Sequence, residues 1–405
     1  MSKITIITGA GFSKHCTELG FPTAKKLSKD LDDDYTWKIS CYNNAWFFNK
    51  GKNNPENLYH KDVHNVSVGG VLDALIRVYK KKDDWLINFD YEEFFQFLKD
   101  LQKVKSLSFL QRIIYRIGLE AEANPNFHFE KDTFMDHVKG GSLMSDVINC
   151  FQYRVKHLLT EPLRESNPEF IKSSYSKFIG YLKRYDKVEV FTLNHDLLHE
   201  HIFDEFSIDY DDGYDFDSQM YVELVGAEKP NKKIPLFDFQ TGVNSRDKGV
   251  YLYKLHGSID SYLSSYPNKG VNISDKYKYI ENGVPLICVK ADSADPLQNL
   301  RFDGHPLDLN NTQPQFITGV RKNEFIEQNP LTKSAYCNLE RSLAECDELL
   351  VIGASLQNDS SLMETLKKSQ NKQVKGKYIC KGNDFLLDYP NVELIKSIND
   401  LARDN

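Results

Sequence analysis

Apolar residues along this chain follow two rhythms. Short, nearly unbroken apolar runs sit toward both ends, and longer stretches with helical spacing fill the middle. The run Ile4-Thr5-Ile6-Ile7, closed by Thr8-Gly9, reads as a buried strand. Similar runs over 188–192, 249–255, 284–289, 345–352 and 378–380 predict further strands. Residues 22–31 predict a helix, with Pro22 near its first turn and Ala24, Leu27 and Leu31 at helical spacing. Residues 43–64 are rich in Asn, Lys and His, carry Gly51 and Pro55, and read as a loop.

From about 70 to 185 the spacing is mostly helical, with helices expected from Val71 and Asp90 and over 107–119, 144–159 and 175–185. Asp90 and Glu93 have the spacing of a capping box. Phe94, Phe95, Phe97, Leu98 and Leu101 give that helix an apolar side that reads as core. Residues 292–312 read as irregular, 331–343 as a helix and 392–401 as a closing helix. Strand and helix alternate at the ends around a helical middle. This predicts an α/β fold, a Rossmann-like parallel sheet core with a long helical insertion. The core is expected over 1–35 plus 186–405 and the insertion over 36–185.

Composition narrows the picture. A chain of 405 residues can bury a large core and form two or three domains. Its 51 Lys and Arg against 58 Asp and Glu give a formal charge of −7 and no long basic stripe, so direct nucleic-acid binding is not expected. No apolar run is long enough for a membrane span, and the first residues lack a signal-peptide pattern. A cytoplasmic location is the expectation. The seven cysteines are scattered with no Cys-x-x-Cys spacing, which argues against a structural zinc site and a disulfide framework. No metal site is expected.

Candidate chemistry gathers where apolar runs end. In an open parallel sheet, ligands bind at the carboxyl ends of the strands. Four runs here end in small or polar clusters: Gly9-Ala10-Gly11-Phe12-Ser13, Thr192-Leu193-Asn194-His195-Asp196, Lys254-Leu255-His256-Gly257-Ser258 and Gly353-Ala354-Ser355-Leu356-Gln357. The first could hold a phosphate through glycines and a following helix end. It fails the strict dinucleotide pattern because Lys14 stands where the last glycine belongs, and it lacks the lysine-bearing phosphate loop of ATPases. Asn194 suits either a ribose hydroxyl or water, or a cap on the next helix. Asp196 reads as support for that loop. His256 can take a proton near neutral pH, or sit idle at a turn. Ser13 and Ser355 read either as hydrogen-bond donors to phosphate or ribose, or as turn serines. Tyr214 and Asp215, in the acidic turn 209–215, are candidate lining residues.

These four clusters, in this order, resemble the sirtuin-like (SIR2-like) NAD-binding family. The resemblance covers roughly 1–35, 186–260 and 340–405. It implies that Gly9, Ala10, Gly11, Phe12 and Ser13 form the loop around the NAD phosphates. It further implies that Asn194 and Asp196 are the ribose-side pair, that Thr192 also binds the cofactor, that His256 is the catalytic histidine, and that Ser355 lies on the adenosine side, where Gly353 ends its strand and binds the cofactor. Asn194, His256 and Asp196 are then the catalytic set. Two features depart from protein-deacylating sirtuins. Their zinc module of Cys-x-x-Cys pairs has no counterpart here, and Leu193 replaces the usual Gln. Together with the helical insertion, these features look like the bacterial antiphage-defence branch, whose members hydrolyse NAD to nicotinamide and ADP-ribose. The resemblance implies NAD as substrate, a homo-oligomer, and control by a HerA-like ATPase or another defence partner. An NAD-dependent deacylase and a non-catalytic NAD-sensing subunit are the alternatives.

Overall fold

Ile4, Ile6 and Ile7 are fully buried because the strand that carries them, Lys3–Thr8, is covered on both faces at the centre of a sheet. The computed structural model describes residues 1–32, 37–42, 45–50, parts of 71–80, 89–103, 143–164, 166–215, 221–224, 232–240, 248–265, 273–281, 283–290, 300–302, 305–306, 313–316, 322–354, 359–368, 375–379 and 392–401. The chain divides into two compact units. One comprises Met1–Thr23, Leu159–Ile317 and Lys322–Asn405, and the other Ala24–Leu158 with Thr318–Arg321.

Among the described residues, the first unit is built on a seven-stranded, all-parallel sheet. In spatial order its strands are Val392–Leu394, Lys375–Ile379, Glu348–Ile352, Lys3–Thr8, Lys187–Thr192, Gly249–Lys254 and Tyr210–Asp211. Alternate side chains point to opposite faces. Ile4, Ile6, Val188, Val190 and Leu350 pack against the helices Pro168–Leu182 and Leu198–Glu205. Ile7, Phe191, Tyr253, Leu349 and Val351 pack against Pro330–Glu345 and Ser360–Lys368. Burial on both faces explains why the central strands carry apolar residues at successive positions, as at Ile6-Ile7 and 349–352. This is an α/β fold with a Rossmann-like parallel sheet flanked by helices.

A second sheet in the same unit is antiparallel and was not foreseen. Among the described residues it has nine strands. Its central run is Tyr221–Leu224, Lys232–Phe237, Val284–Lys290 and Gly257–Ser265. The chain passes into it directly from the parallel strand Gly249–Lys254 through Leu255 and His256. His256 therefore lies at a junction between two sheets. The stretch 292–312, expected to be irregular, contributes the short strands Leu300–Phe302 and His305–Pro306 to this sheet.

In the second unit Asp90 caps the helix Tyr91–Gln102, accepting the Glu92 and Glu93 amides at 2.8 and 3.0 Å. Phe94, Phe95 and Leu98 are buried, with Phe94 and Phe151 rings 5.2 Å apart, so the aromatic side is core. Part of the expected loop at 43–64 is instead a hairpin, Trp37–Tyr42 paired with Ala45–Lys50. The aromatic run at Trp46-Phe47-Phe48 favours a strand over a loop. The helix expected over 107–119 lies outside the described residues.

Two boundaries differ from the sequence reading. The helix Pro168–Leu182 begins at an Asn167 cap and packs on the parallel sheet, within the first unit rather than in the insertion. The closing segment 392–401 is not a helix but an edge strand, Val392–Leu394, followed by a single 3₁₀ turn, Ile398–Asp400, capped by Ser397. Ile395, Ile398 and Leu401 are buried at a spacing of three, which a 3₁₀ turn satisfies as well as an α-helix. No described helix is long and apolar enough to cross a membrane.

Candidate functional site

Register brings the predicted strand ends into one row. Thr8 lies beside Ile352 on one side and Thr192 on the other, and Thr192 lies beside Lys254. The loops after all four strands therefore emerge at the same edge. Chain order reverses between Lys3–Thr8 and Glu348–Ile352, the position where such sheets open a ligand crevice.

At that point the backbone is tightly crossed. The Gly9 amide donates to the Ile352 carbonyl at 3.0 Å and the Gly11 amide to the Gly353 carbonyl at 2.9 Å. A Cβ on Gly9 or Gly11 would lie 2.6 Å from the Cα of Ala354 or Gly353 respectively. The glycines thus serve close backbone approach within the protein. The Phe12 amide is likewise used, donating to the Gly9 carbonyl at 2.8 Å. The helix that follows, Ala10–Ser13, is a single turn. The expected phosphate cradle does not have the Gly9, Gly11 and Phe12 amides to offer. Phe12, expected to contact NAD, is a core residue. It is fully buried, its ring stacks on His199 at 4.4 Å, and its carbonyl accepts the Tyr175 hydroxyl at 2.7 Å.

Ser13, Asn194 and Asp196 form one hydrogen-bonded chain. The Asn194 amide group donates to the Gly9 carbonyl at 3.0 Å and to Ser13 Oγ at 2.8 Å. Ser13 Oγ donates in turn to Asp196 Oδ2 at 2.8 Å. Asp196 Oδ1 accepts the Leu198 amide at 3.1 Å at the start of the next helix, the supporting role expected of it. Thr192 Oγ1 braces Asn194 by accepting its backbone N–H at 3.1 Å. Burial raises the Asp196 carboxyl above its ordinary range, against the pull of Lys254. Lys254 Nζ donates to the Asp196 carbonyl at 2.5 Å and pairs with Glu200 at 2.9 Å.

His256 is buried, and its Nε2 lies 2.6 Å from Oδ2 of Asp359. Asp359 was missed from the sequence. It stands 103 positions away, and the one local sign was its place before Ser360-Ser361-Leu362, where it caps a helix. Its Oδ1 accepts the Leu362 amide at 2.9 Å. His195 sits beside His256, ring centroids 6.1 Å apart. Burial, and next the neighbouring His256, hold His195 well below the ordinary histidine range. Ser355 lies outside the described residues.

Beside Gly257 and Ser258 a cavity of about 50 Å³ is lined by Glu200, Tyr214, Lys254, Asp260 and Lys290, among others. Tyr214, a candidate lining residue of the NAD site, lines this cavity. Asp215 does not line it; its carboxylate binds Lys276 and Tyr277, each at 2.7 Å. Among the described residues of this unit, the buried polar side-chain atoms without a partner are His195 Nδ1, His199 Nδ1, Ser258 Oγ and Tyr336 Oη. Buried polar atoms are nearly always bonded, so orphans mark places that bind water or ligand. His195 and Ser258 flank His256 directly, and the Tyr336 hydroxyl is close enough to Asp359 to feel its charge. Among the described residues no group of His, Cys, Asp and Glu is arranged to hold a metal ion.

His199 gives the site an acid sensitivity that can be measured. It is fully buried, accepts or donates with Thr8 Oγ1 at 3.2 Å, and is held well below the ordinary histidine range by desolvation. A depressed folded-state pKa means that its contribution to stability is present above the unfolded value near 6.5 and is lost as pH falls below it. His199→Phe keeps the stack on Phe12 but cannot be protonated. The variant should melt below the parent at pH 7.5, because Thr8 loses its partner. The gap should narrow by about 1 kcal/mol at pH 5.5. Parallel thermal melts at the two pH values check this, and an unchanged gap would refute it.

No family model matches the chain, and no curated protein matches it.

Proposed function

We propose that this protein hydrolyses NAD at the nicotinamide–ribose bond, giving nicotinamide and ADP-ribose. The observation that carries the reading is the hydrogen-bonded chain Asn194–Ser13–Asp196. It joins two motifs over 180 positions apart at the carboxyl edge of a parallel sheet. The motifs resemble those of sirtuin-like proteins, and the orphaned polar atoms around His256 support a ligand at this edge. The first loop and the crevice beside it receive the dinucleotide. Asn194 orients the ribose or the attacking water, with Ser13 and Asp196 fixing its amide. His256 takes the proton of that water. Fixed dipoles around the reacting carbon favour the positive charge that develops on the ribose.

Hydrolysis is favoured over deacylation because the chain lacks the paired Cys-x-x-Cys motifs of a zinc module. Control through self-assembly, or through a HerA-like ATPase or another defence partner in the cytoplasm, extends the same resemblance. The test is NAD consumption by purified protein, alone and with the products of neighbouring genes. The expected products are free nicotinamide and ADP-ribose in equal amounts, without any acylated co-substrate. Tight NAD binding with no turnover under every condition would favour a sensor. Nicotinamide release that requires an acylated co-substrate would favour a deacylase.

A further inference from the structure

We infer that Asp359 is a positioning residue that holds His256 as a base working through Nδ1; this rests on the proposed role of His256 as proton acceptor. Both oxygens of the Asp359 carboxylate are anchored. Oδ2 meets His256 Nε2 at 2.6 Å and Oδ1 takes the Leu362 amide at 2.9 Å. The group is 3% exposed and sits at the start of the helix Ser360–Lys368, so it cannot swing away without uncapping that helix. An ionised carboxylate only accepts hydrogen bonds. The proton in the short contact therefore belongs to Nε2, and in the neutral imidazole Nδ1 carries the lone pair. Burial raises the Asp359 carboxyl, but the hydrogen bonds from His256 and the Leu362 amide, with the charge of Lys322, outweigh it and hold the group below the ordinary carboxylate range.

The resulting step balances. The water oxygen bonds to the anomeric carbon as the carbon–nitrogen bond breaks, and that electron pair leaves with neutral nicotinamide. The water proton goes to Nδ1, and the imidazolium so formed lies against the Asp359 carboxylate until the proton passes to solvent. The titratable groups facing this pair are His195, which burial keeps neutral, the Tyr336 phenol, which burial pushes up, and Lys322.

The experiment combines Asp359→Asn with ¹⁵N-histidine spectra of the full chain. Asparagine is as good a helix cap as aspartate, so the helix is retained. It turns an amide donor toward Nε2, so the proton moves to Nδ1. In the parent, the His256 signal, assigned by its loss in His256→Gln, should show the proton on Nε2. In Asp359→Asn, kcat should fall about 10²–10⁴-fold with KM within threefold, an unchanged melting temperature and an acid limb of the rate profile moved to lower pH. A His256 proton on Nδ1 in the parent, or a kcat of Asp359→Asn within threefold of the parent, would overturn the inference. If the parent cleaves no NAD, the hydrolase reading fails, and the tautomer still decides whether Asp359 sets the imidazole.

Discussion

The His256→Gln chain is expected to lose NAD cleavage by about 10²–10⁴-fold while remaining folded. Glutamine is chosen because of what His256 touches. Its Nε2 lies 2.6 Å from a carboxylate that is 3% exposed. His256→Ala would remove the base and leave that carboxylate buried without its partner, and breaking a buried pair from one side destabilises by about 3–5 kcal/mol. A dead His256→Ala protein would then be ambiguous between lost chemistry and lost structure. Glutamine can still donate an amide N–H to Asp359 but cannot take a proton near neutral pH. Thermal melts, NAD binding and single-turnover nicotinamide release, measured on the same preparation, separate the two effects. A His256→Gln protein that melts and binds like the parent but does not turn over supports the assignment. Turnover within threefold of the parent removes His256 from the chemistry.

Gly353→Ala is expected to destabilise the first unit by about 2–5 kcal/mol, a large fraction of the stability of an ordinary domain. Two effects add. Gly353 has φ +61, in the left-handed region that alanine enters at a penalty of about 1–2 kcal/mol. Its missing side chain also faces backbone, since a Cβ would collide with the Cα and carbonyl carbon of Gly11 and the amide nitrogen of Phe12. None of these can rotate aside. Gly353 further bonds on two sides, its amide to the Ile379 carbonyl at 2.8 Å and its carbonyl to the Gly11 amide at 2.9 Å. Gly11→Ala provides the comparison. It meets the same neighbour but carries no positive φ, so its loss should be smaller. Urea unfolding of both variants decides the matter, and equal, small losses would show that the crossing is looser than described.

The parallel sheet was legible because its strands are buried on both faces. That leaves short apolar runs such as Ile6-Ile7 and 349–352, bounded by polar or glycine residues and too short for a helix. The antiparallel sheet was obscure for the opposite reason. Strands such as Lys232–Phe237 begin with two lysines, and Tyr221–Leu224 and Leu300–Phe302 are too short to show a period. Asn194 and Asp196 announced themselves by standing just past a strand. Asp359 did not, because its proximity to His256 is created by the fold rather than by any local pattern. Phe12 misled for a related reason. Its place in the motif says ligand, whereas its one-turn helix directs the ring onto Tyr175, Phe178 and His199.

The central position of Lys3–Thr8 bears on how the protein is made. Of the two neighbours of this strand, Glu348–Ile352 is synthesised about 340 residues after it. At bacterial or eukaryotic elongation rates of about 5–20 residues per second, the opening strand waits roughly 15–70 s for its partner. During that time the Gly9 and Gly11 amides have no Ile352 or Gly353 carbonyl to bond, and Asp359 has not been synthesised to hold His256. A nascent chain therefore lacks an assembled site until residue 359 has been translated. Truncated translation products ending before residue 348 would contain the first three motifs but lack the Ile352 and Gly353 carbonyls that receive the Gly9 and Gly11 amides, and the carboxylate that holds His256.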